Sequence, residues 1–244
     1  MIIINGQLGH GDKNKRNKPT MIEKLKQHKI IKICCGANHT VVLTDKSNIF
    51  TFGSNRYGQL AIDDKNVEFK TTPQNVMCDN TILTIGCGNK NTYIVKNNGE
   101  LYGCGNNYSC QITNKTNENK IYLPILIFKN ENMKLISFGG SHTMIQMNDG
   151  NVIVWGINDE GQLGLGDTKH RKEPTKLMCD KSIEILMGRD NDFEMKRVLN
   201  ESMIFYLCVP LIENKMKIKI PKPILKEIVN KLLINGRKIK FYNN

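Results

Sequence analysis

The sequence predicts an all-β fold built from several copies of one small antiparallel sheet. A motif of the type Gly-Gln-Leu begins at Gly6, Gly58 and Gly161, with a degraded copy at Cys110. These positions are separated by 52, 52 and 51 residues. A second motif keeps the same phase and ends in Thr40, Thr92 and Thr143. A period of about 50 residues is typical of repeated β units.

The segments between these motifs have the composition of short strands. Each copy contains three runs rich in β-branched residues and bounded by Gly, Asn and Asp. The predicted strands are 30–35, 39–44, 48–52, 82–87, 92–96, 100–104, 134–138, 142–147 and 152–155. The dipeptides Asn98-Gly99 and Asp149-Gly150 are typical of tight hairpin turns. Several short strands in each repeat predict the four-stranded blades of a β-propeller.

One copy of the repeat is complete enough to show a family resemblance. Its motif is Trp155-Gly156-Ile157-Asn158-Asp159-Glu160-Gly161-Gln162-Leu163-Gly164-Leu165-Gly166-Asp167. Together with Gly139, His142-Thr143 and Asp149-Gly150 upstream, it resembles the signature of the regulator of chromosome condensation repeat family. The resemblance implies propellers of about seven blades. It also implies a choice of roles: nucleotide exchange on the GTPase Ran with chromatin binding, a part in ubiquitin ligases, or a protein-binding platform.

The number of repeats predicts an incomplete propeller. About three and a half copies occupy residues 1–190, fewer than the resemblance implies. Open blade faces would expose apolar surface, at a cost on the order of 10 kcal/mol for each face. We therefore expect that a second copy of the chain closes the ring, that another protein completes it, or that the chain is a fragment of a decaying gene.

The charge is concentrated at the two ends of the sequence. The chain has a formal net charge of +12. Residues 195–244 carry 11 Lys and Arg against 3 acidic residues, and residues 10–32 carry 8 against 2. Residues 33–194 carry 16 basic and 18 acidic residues. The basic ends predict either binding to nucleic acid, acidic lipid or an acidic protein face, or a solvated lysine-rich surface.

Residues 191–244 form a second predicted region, a basic and partly helical tail. After Pro221 and Pro223, apolar residues recur on one face of a helix at Ile224, Leu225, Ile228 and Leu232. One interpretation is a helix that docks onto a partner, and its pattern faintly resembles the start of an F-box, which implies a ubiquitin-ligase adaptor. The other interpretation is that the helix packs on the open end of the blades.

No catalytic group, cofactor site or metal site is predicted. Cys35 and His39 have a spacing found in zinc sites, but their repeat mates Cys87 with Asn91 and Phe138 with His142 do not keep the pair. This favours a core thiol and a histidine bonded to the backbone. The sequence therefore predicts a protein that is not an enzyme.

The preferred function is a non-catalytic platform that binds an unidentified protein. The loops 61–72, 113–124 and 167–174 vary between copies, and variable loops on a rigid scaffold are where partners bind. The corresponding loop after the motif at Gly6 contains Lys13, Lys15, Arg16 and Lys18, which are expected to meet an acidic surface. The alternatives are nucleotide exchange on a small GTPase, nucleic-acid or chromatin binding through the basic tail, and a ubiquitin-ligase adaptor.

The expected environment is intracellular, either cytoplasmic or nuclear. Eight Cys residues without a secretory signal peptide predict reduced thiols. The sequence has no run of 18 apolar residues, so no membrane-spanning helix is predicted.

Overall fold

The computed structural model describes residues 5–113 and 115–177. Within these residues the chain forms one short 3₁₀ helix, η1, and twelve strands in three four-stranded antiparallel sheets. The all-β fold class is therefore confirmed. The predicted helix in the basic tail lies outside the described residues.

Each sheet is a simple up-and-down meander, as expected for a propeller blade. Blade 1 has the order β1-β2-β3-β4, blade 2 has β5-β6-β7-β8, and blade 3 has β9-β10-β11-β12. The bounds are η1 Glu23–Leu25, β1 Ile30–Cys35, β2 His39–Thr44, β3 Asn48–Ser54, β4 Phe69–Cys78, β5 Ile82–Cys87, β6 Asn91–Lys96, β7 Glu100–Asn106, β8 Lys120–Lys129, β9 Met133–Phe138, β10 His142–Met147, β11 Val152–Gly156 and β12 Arg171–Leu177. The nine predicted strands match the first three strands of each blade.

The fourth strand of each blade was not located by the sequence pattern. These strands contain Pro73, Pro124 and Pro174 at equivalent places. In each blade the strand register shifts at this proline, because proline cannot donate a ladder hydrogen bond and is tolerated only at an edge or bulge. The predicted loops 61–72, 113–124 and 167–174 were therefore too long, since β4, β8 and β12 begin at Phe69, Lys120 and Arg171.

The chain divides into two compact units, and the first of them, which ends at residue 131, contains blades 1 and 2. An apolar cluster joins these two blades. It contains Val41, Leu43 and Ile49 from blade 1 and Ile82, Ile85 and Ile94 from blade 2. Strand β2 is buried along its whole length, which explains its continuous apolar and β-branched sequence.

The opposite face of blade 1 is covered by the segment that precedes β1. Leu25, in η1, packs against Val42, Phe50 and Phe52. In the repeat phase, residues 17–26 correspond to β4, one period of 52 residues later. Here the segment forms a 3₁₀ turn and pairs with none of the described strands. Leu25 is the repeat equivalent of Met77, a residue of β4 that packs against the apolar cluster shared by blades 1 and 2.

The second unit, from residue 132 onward, contains blade 3. Its buried cluster contains Met144, Val152, Val154, Leu163 and Leu177. Trp155 is buried as well. The central strands of this blade therefore present apolar side chains to a core, as in blades 1 and 2.

Candidate binding surface

The repeated Gly-Gln motif forms a tight turn after the third strand of each blade. In blade 1 the Asn55 side chain accepts a hydrogen bond from Leu60 N at 3.0 Å, and Tyr57 N donates to Gln59 Oε1 at 2.9 Å. In blade 3 Leu163 N donates to Asn158 Oδ1 at 2.8 Å. These side chains satisfy buried backbone groups. The most regular residues of the repeat are therefore structural.

Glycine is required at the centre of this turn in blade 1. Gly58 has a φ of +90°, and a Cβ built there would lie 2.4 Å from the carbonyl oxygen of Ile121 and 2.7 Å from Tyr122 Cα. The turn of blade 1 therefore rests directly on the backbone of β8 in blade 2, and a side chain at position 58 would separate them.

The second motif links the two blades through a buried histidine. The Thr92 hydroxyl donates to Gln59 O at 2.6 Å, so the His39 Nε2–H is the donor to Thr92 Oγ1, at 3.1 Å. Burial lowers the pKa of His39 from 6.5 to about 4. A Cβ at Gly36 would lie 2.1 Å from the His39 ring, which explains the glycine three residues before the histidine. The neighbouring Cys35 is exposed, so its prediction as a core thiol was wrong.

The predicted lysine loop is only partly free to meet a partner. Arg16 forms a salt bridge with Asp12 at 2.7 Å, and this hydrogen bond lowers the pKa of Asp12 to about 2. Lys13 Nζ lies 3.7 Å from the centroid of the Phe69 ring. Lys15 and Lys18 are exposed. Two of the four predicted residues therefore already have partners within the chain.

The structure assembles a second basic site that the sequence did not predict. Lys90 Nζ lies 4.4 Å from the centroid of the Tyr57 ring and donates to its hydroxyl at 3.1 Å. Lys120 Nζ lies 5.7 Å from the same ring. The Tyr108 ring meets the Tyr57 ring edge-on, with centroids 6.3 Å apart. We call these four residues the tyrosine–lysine surface.

This surface lies at one end of the strands of the first unit. Tyr57 and Tyr108 follow β3 and β7, Lys90 lies between β5 and β6, and Lys120 begins β8. Segments 9–19, 36–38, 55–68, 88–90, 107–113 and 115–120 lie at this end, with segment 9–19 held to β4 by the hydrogen bond from Gly11 N to Thr71 O. Together they carry nine Lys and Arg against five Asp and Glu. The end as a whole is therefore basic.

A shallow groove lies beside the tyrosine–lysine surface. It has a volume of about 490 Å³ and runs between the loop after Ala61 and the β8 strand. Its wall includes Tyr122, with Lys65 Nζ 6.0 Å from the ring centroid, and the exposed Leu123 and Leu126. Gly58, which follows Tyr57, touches the backbone at Tyr122 in the groove wall, so the groove and the surface are adjacent.

The other predicted binding residues, Ile224, Leu225, Ile228 and Leu232, lie outside the described residues, as does the predicted boundary at residue 190. In the described part of the chain, His, Cys, Asp and Glu side chains form no group of three that could hold a metal ion. That part also contains no helix with the length and apolar character needed to cross a membrane.

The meandering sheets and the recurrent glycine turns define a protein of the β-propeller repeat class. The model of the regulator of chromosome condensation (RCC1) repeat matches residues 4–43, 46–95, 98–146 and 149–188. The chain belongs to this family. Four successive matches are slightly more than the three and a half copies counted from the motifs.

Curated relatives share about three tenths of the aligned residues. The chain is 30% identical over 174 residues to the ultraviolet-B receptor UVR8 of Arabidopsis thaliana, covering 70% of this chain and 40% of that protein. It is 29% identical over 198 residues to human protein RCC2, covering 69% and 37%. It is 28% identical over 155 residues to the human X-linked retinitis pigmentosa GTPase regulator, covering 63% and 15%. The chain thus spans two fifths or less of these relatives.

Solved structures show the same fold. Human WBSCR16 superposes with a TM-score of 0.64 at 20% identity, covering 75% of this chain and 48% of that one. Prp20p of Saccharomyces cerevisiae superposes with a TM-score of 0.58 at 20% identity, covering 72% and 44%.

Proposed function

We propose that the chain is a non-catalytic protein-binding platform and that the tyrosine–lysine surface contacts an acidic partner. The observation that carries the proposal is the pair of ammonium groups at one tyrosine ring. Lys90 and Lys120 both approach Tyr57, and neither forms an ion pair with a described carboxylate. Their charges are therefore available to a partner.

The physical chemistry of the surface suits recognition. A cation–π contact contributes about 0.5–1 kcal/mol at an exposed site, and it also holds the ring and the ammonium group in place before binding. Tyrosine is enriched among residues that dominate interface energetics because it is large, rigid and amphipathic. Tyr108 is 60% exposed and adds an unburied aromatic face. A partner with carboxylates beside an aromatic residue fits this arrangement.

Similar proteins support a binding role. One solved complex is described as Kap60 bound to yeast RCC1 (Prp20), and it superposes with a TM-score of 0.56 at 23% identity. The Prp20p structure is described together with its binding properties to Gsp1p and histones. These partners belong to that protein. For this chain they support binding to a macromolecule.

A charge reversal tests the proposed surface. The probe is a fluorescein-labelled copolymer peptide of Glu and Tyr, titrated by fluorescence anisotropy. Lys90→Glu is expected to weaken binding by at least about tenfold, because it replaces an attractive charge by a repulsive one at the centre of the surface. Lys46→Glu is the matched control, since exposed Lys46 lies in the turn between β2 and β3, at the opposite end of blade 1. Equal weakening by both variants would refute the proposal.

The alternative functions remain predictions and have their own tests. Exchange activity predicts faster release of labelled GDP from a small GTPase, and we expect no acceleration at micromolar protein. Chromatin or nucleic-acid binding predicts an affinity for duplex DNA that falls steeply with salt and is lost when residues 195–244 are removed. An adaptor role predicts that residues 215–236 recover a ubiquitin-ligase component. Self-association predicts a mass of two chains in light scattering.

A further inference from the structure

Two cysteine sulfurs from neighbouring blades almost touch. Cys34 lies near the end of β1, and Cys87 is the last residue of β5. Their Sγ atoms are 2.7 Å apart, closer than the separation of about 3.5 Å or more that non-bonded heavy atoms prefer. A disulfide bond has a sulfur–sulfur distance of about 2.04 Å. The two sulfurs are therefore in direct contact, and no other atom separates them.

The backbone on both sides of the sulfurs is already held in register. Before the cysteines, Lys32 Nζ donates to Thr84 Oγ1 at 2.7 Å. After them, Ala37 N donates to Asn89 O at 2.9 Å. Because the two blades are joined on both sides of the cysteines, the two sulfurs are held close together. Cys34 is half-buried, so a small oxidant can reach it.

We propose that Cys34 and Cys87 form a site of reversible oxidation, at which a disulfide links blade 1 to blade 2. The oxidant is a peroxide. One cysteine sulfur attacks the peroxide and becomes a sulfenic acid with release of water, and the other sulfur then displaces a second water to form the S–S bond. Two thiols thereby lose two electrons and two protons, and hydrogen peroxide is reduced to two water molecules. A dithiol reductant reverses the link by exchange.

The order of attack follows from the surroundings of Cys87. Burial raises the pKa of the Cys87 thiol, and the adjacent Cys34 raises it further. Since the thiolate is the attacking species, Cys87 is a poor first nucleophile. We therefore place the sulfenic acid on Cys34 and assign Cys87 as the resolving thiol. This order predicts that dimedone labels Cys34 when Cys87 is replaced by Ser.

Peptide mapping of the full chain tests the link. Trypsin leaves Cys34 in peptide 33–46, which also contains Cys35, and Cys87 in peptide 71–90, which also contains Cys78. The chain carrying Cys35→Ser and Cys78→Ser removes this ambiguity, because only Cys34 and Cys87 can then join the two peptides. After treatment with hydrogen peroxide and alkylation, the linked pair is expected, and dithiothreitol is expected to abolish it.

Native geometry should direct this pairing, and the unfolded chain is the control. We expect the linked pair to form at least about tenfold faster in the folded chain than in urea, because the sulfurs are held together. The native wild-type chain shows whether one disulfide forms without any substitution, through loss of two hydrogen masses and of two alkylation sites. The proposal fails if Cys34 and Cys87 both remain alkylatable while exposed cysteines oxidise, or if folded and unfolded chains give the same mixture of pairs.

Discussion

The buried histidine of blade 1 should make the first unit sensitive to mild acid. Burial lowers the pKa of His39 from 6.5 to about 4. Between these values the unfolded chain binds a proton that the folded chain does not, so stability is complete above about pH 6.5 and is lost as the pH falls toward 4. From about pH 8 to about pH 5 the loss from this one group is about 2 kcal/mol.

The substitution His39→Asn tests this loss with a residue that the repeat itself supplies. Asn91 occupies the equivalent position in blade 2, where its Nδ2 donates to Asn106 O at 2.7 Å. The free energy of unfolding would be measured by urea titration with circular dichroism at both pH values. At the higher pH both chains are neutral at this site, so their difference reports packing and the hydrogen bond from His39 to Thr92, without any contribution from charge. On moving to the lower pH, the wild-type chain should lose about 2 kcal/mol more than the variant.

The other titrating groups are the same in both chains and cancel in the difference, including His142, whose pKa is also lowered by burial to about 4. Asp79 has its pKa lowered by the hydrogen bond to Lys96, and Asp12 has its pKa lowered to about 2 by Arg16. Carboxylates with lowered pKa values cost stability only as the pH falls below about 4. If the wild-type chain and His39→Asn lose stability equally between the two pH values, the argument that buried His39 stays neutral is refuted.

Two further predictions concern the turns that build the binding surface, both measured by urea titration. Gly58→Ala should destabilise the chain by about 3 kcal/mol or more, through backbone strain and the clash with Ile121. The control is Gly11→Ala, which has a similar φ of +92° but whose Cβ would have its nearest atom at 3.6 Å, and it should cost only about 1 kcal/mol. Equal losses of stability would contradict the close approach of the two blades. Asn107→Ala removes four hydrogen bonds in the loop after β7 and should lower the free energy of unfolding by about 3 kcal/mol. The control is Asn119→Ala, at an exposed position of the same loop, which should change the free energy of unfolding little. Hydrogen exchange of residues 108–118 would show whether Asn107→Ala also loosens the loop that carries the surface.

Several of the strands that the sequence predicted have a buried role, although the predicted edge strands β1 and β9 have no buried residue. Strands such as β2 and β6 are buried on both faces, so packing imposes apolar and β-branched residues that the pattern displays. The fourth strands lie at sheet edges and are mostly half-buried or exposed. Pro73 or Pro124 argues against a strand unless the bulge is known, even in β8, where apolar and β-branched residues predominate.

The site was less predictable because it depends on contacts between blades. Tyr57 and Lys90 are 33 residues apart and occupy positions that change from one repeat to the next, so no period marks them. In the sequence repeat the equivalent of Cys87 is Cys35, and not Cys34. Only the packing of β1 against β5 shows that Cys34 faces the neighbouring blade while its neighbour in sequence points to solvent.

The sequence repeat is out of phase with the four-stranded sheet, and this offset determines how the gain or loss of a repeat changes the fold. The repeat at residues 46–95 begins before β3 and ends within β6, so it supplies the last two strands of one blade and the first two strands of the next. Tandem duplication or loss of one repeat therefore changes the number of blades and leaves every sheet with four strands. The same offset means that a repeat copy with substituted motif residues, such as the one at Cys110, supplies strands to two successive blades, and each blade must tolerate its substitutions.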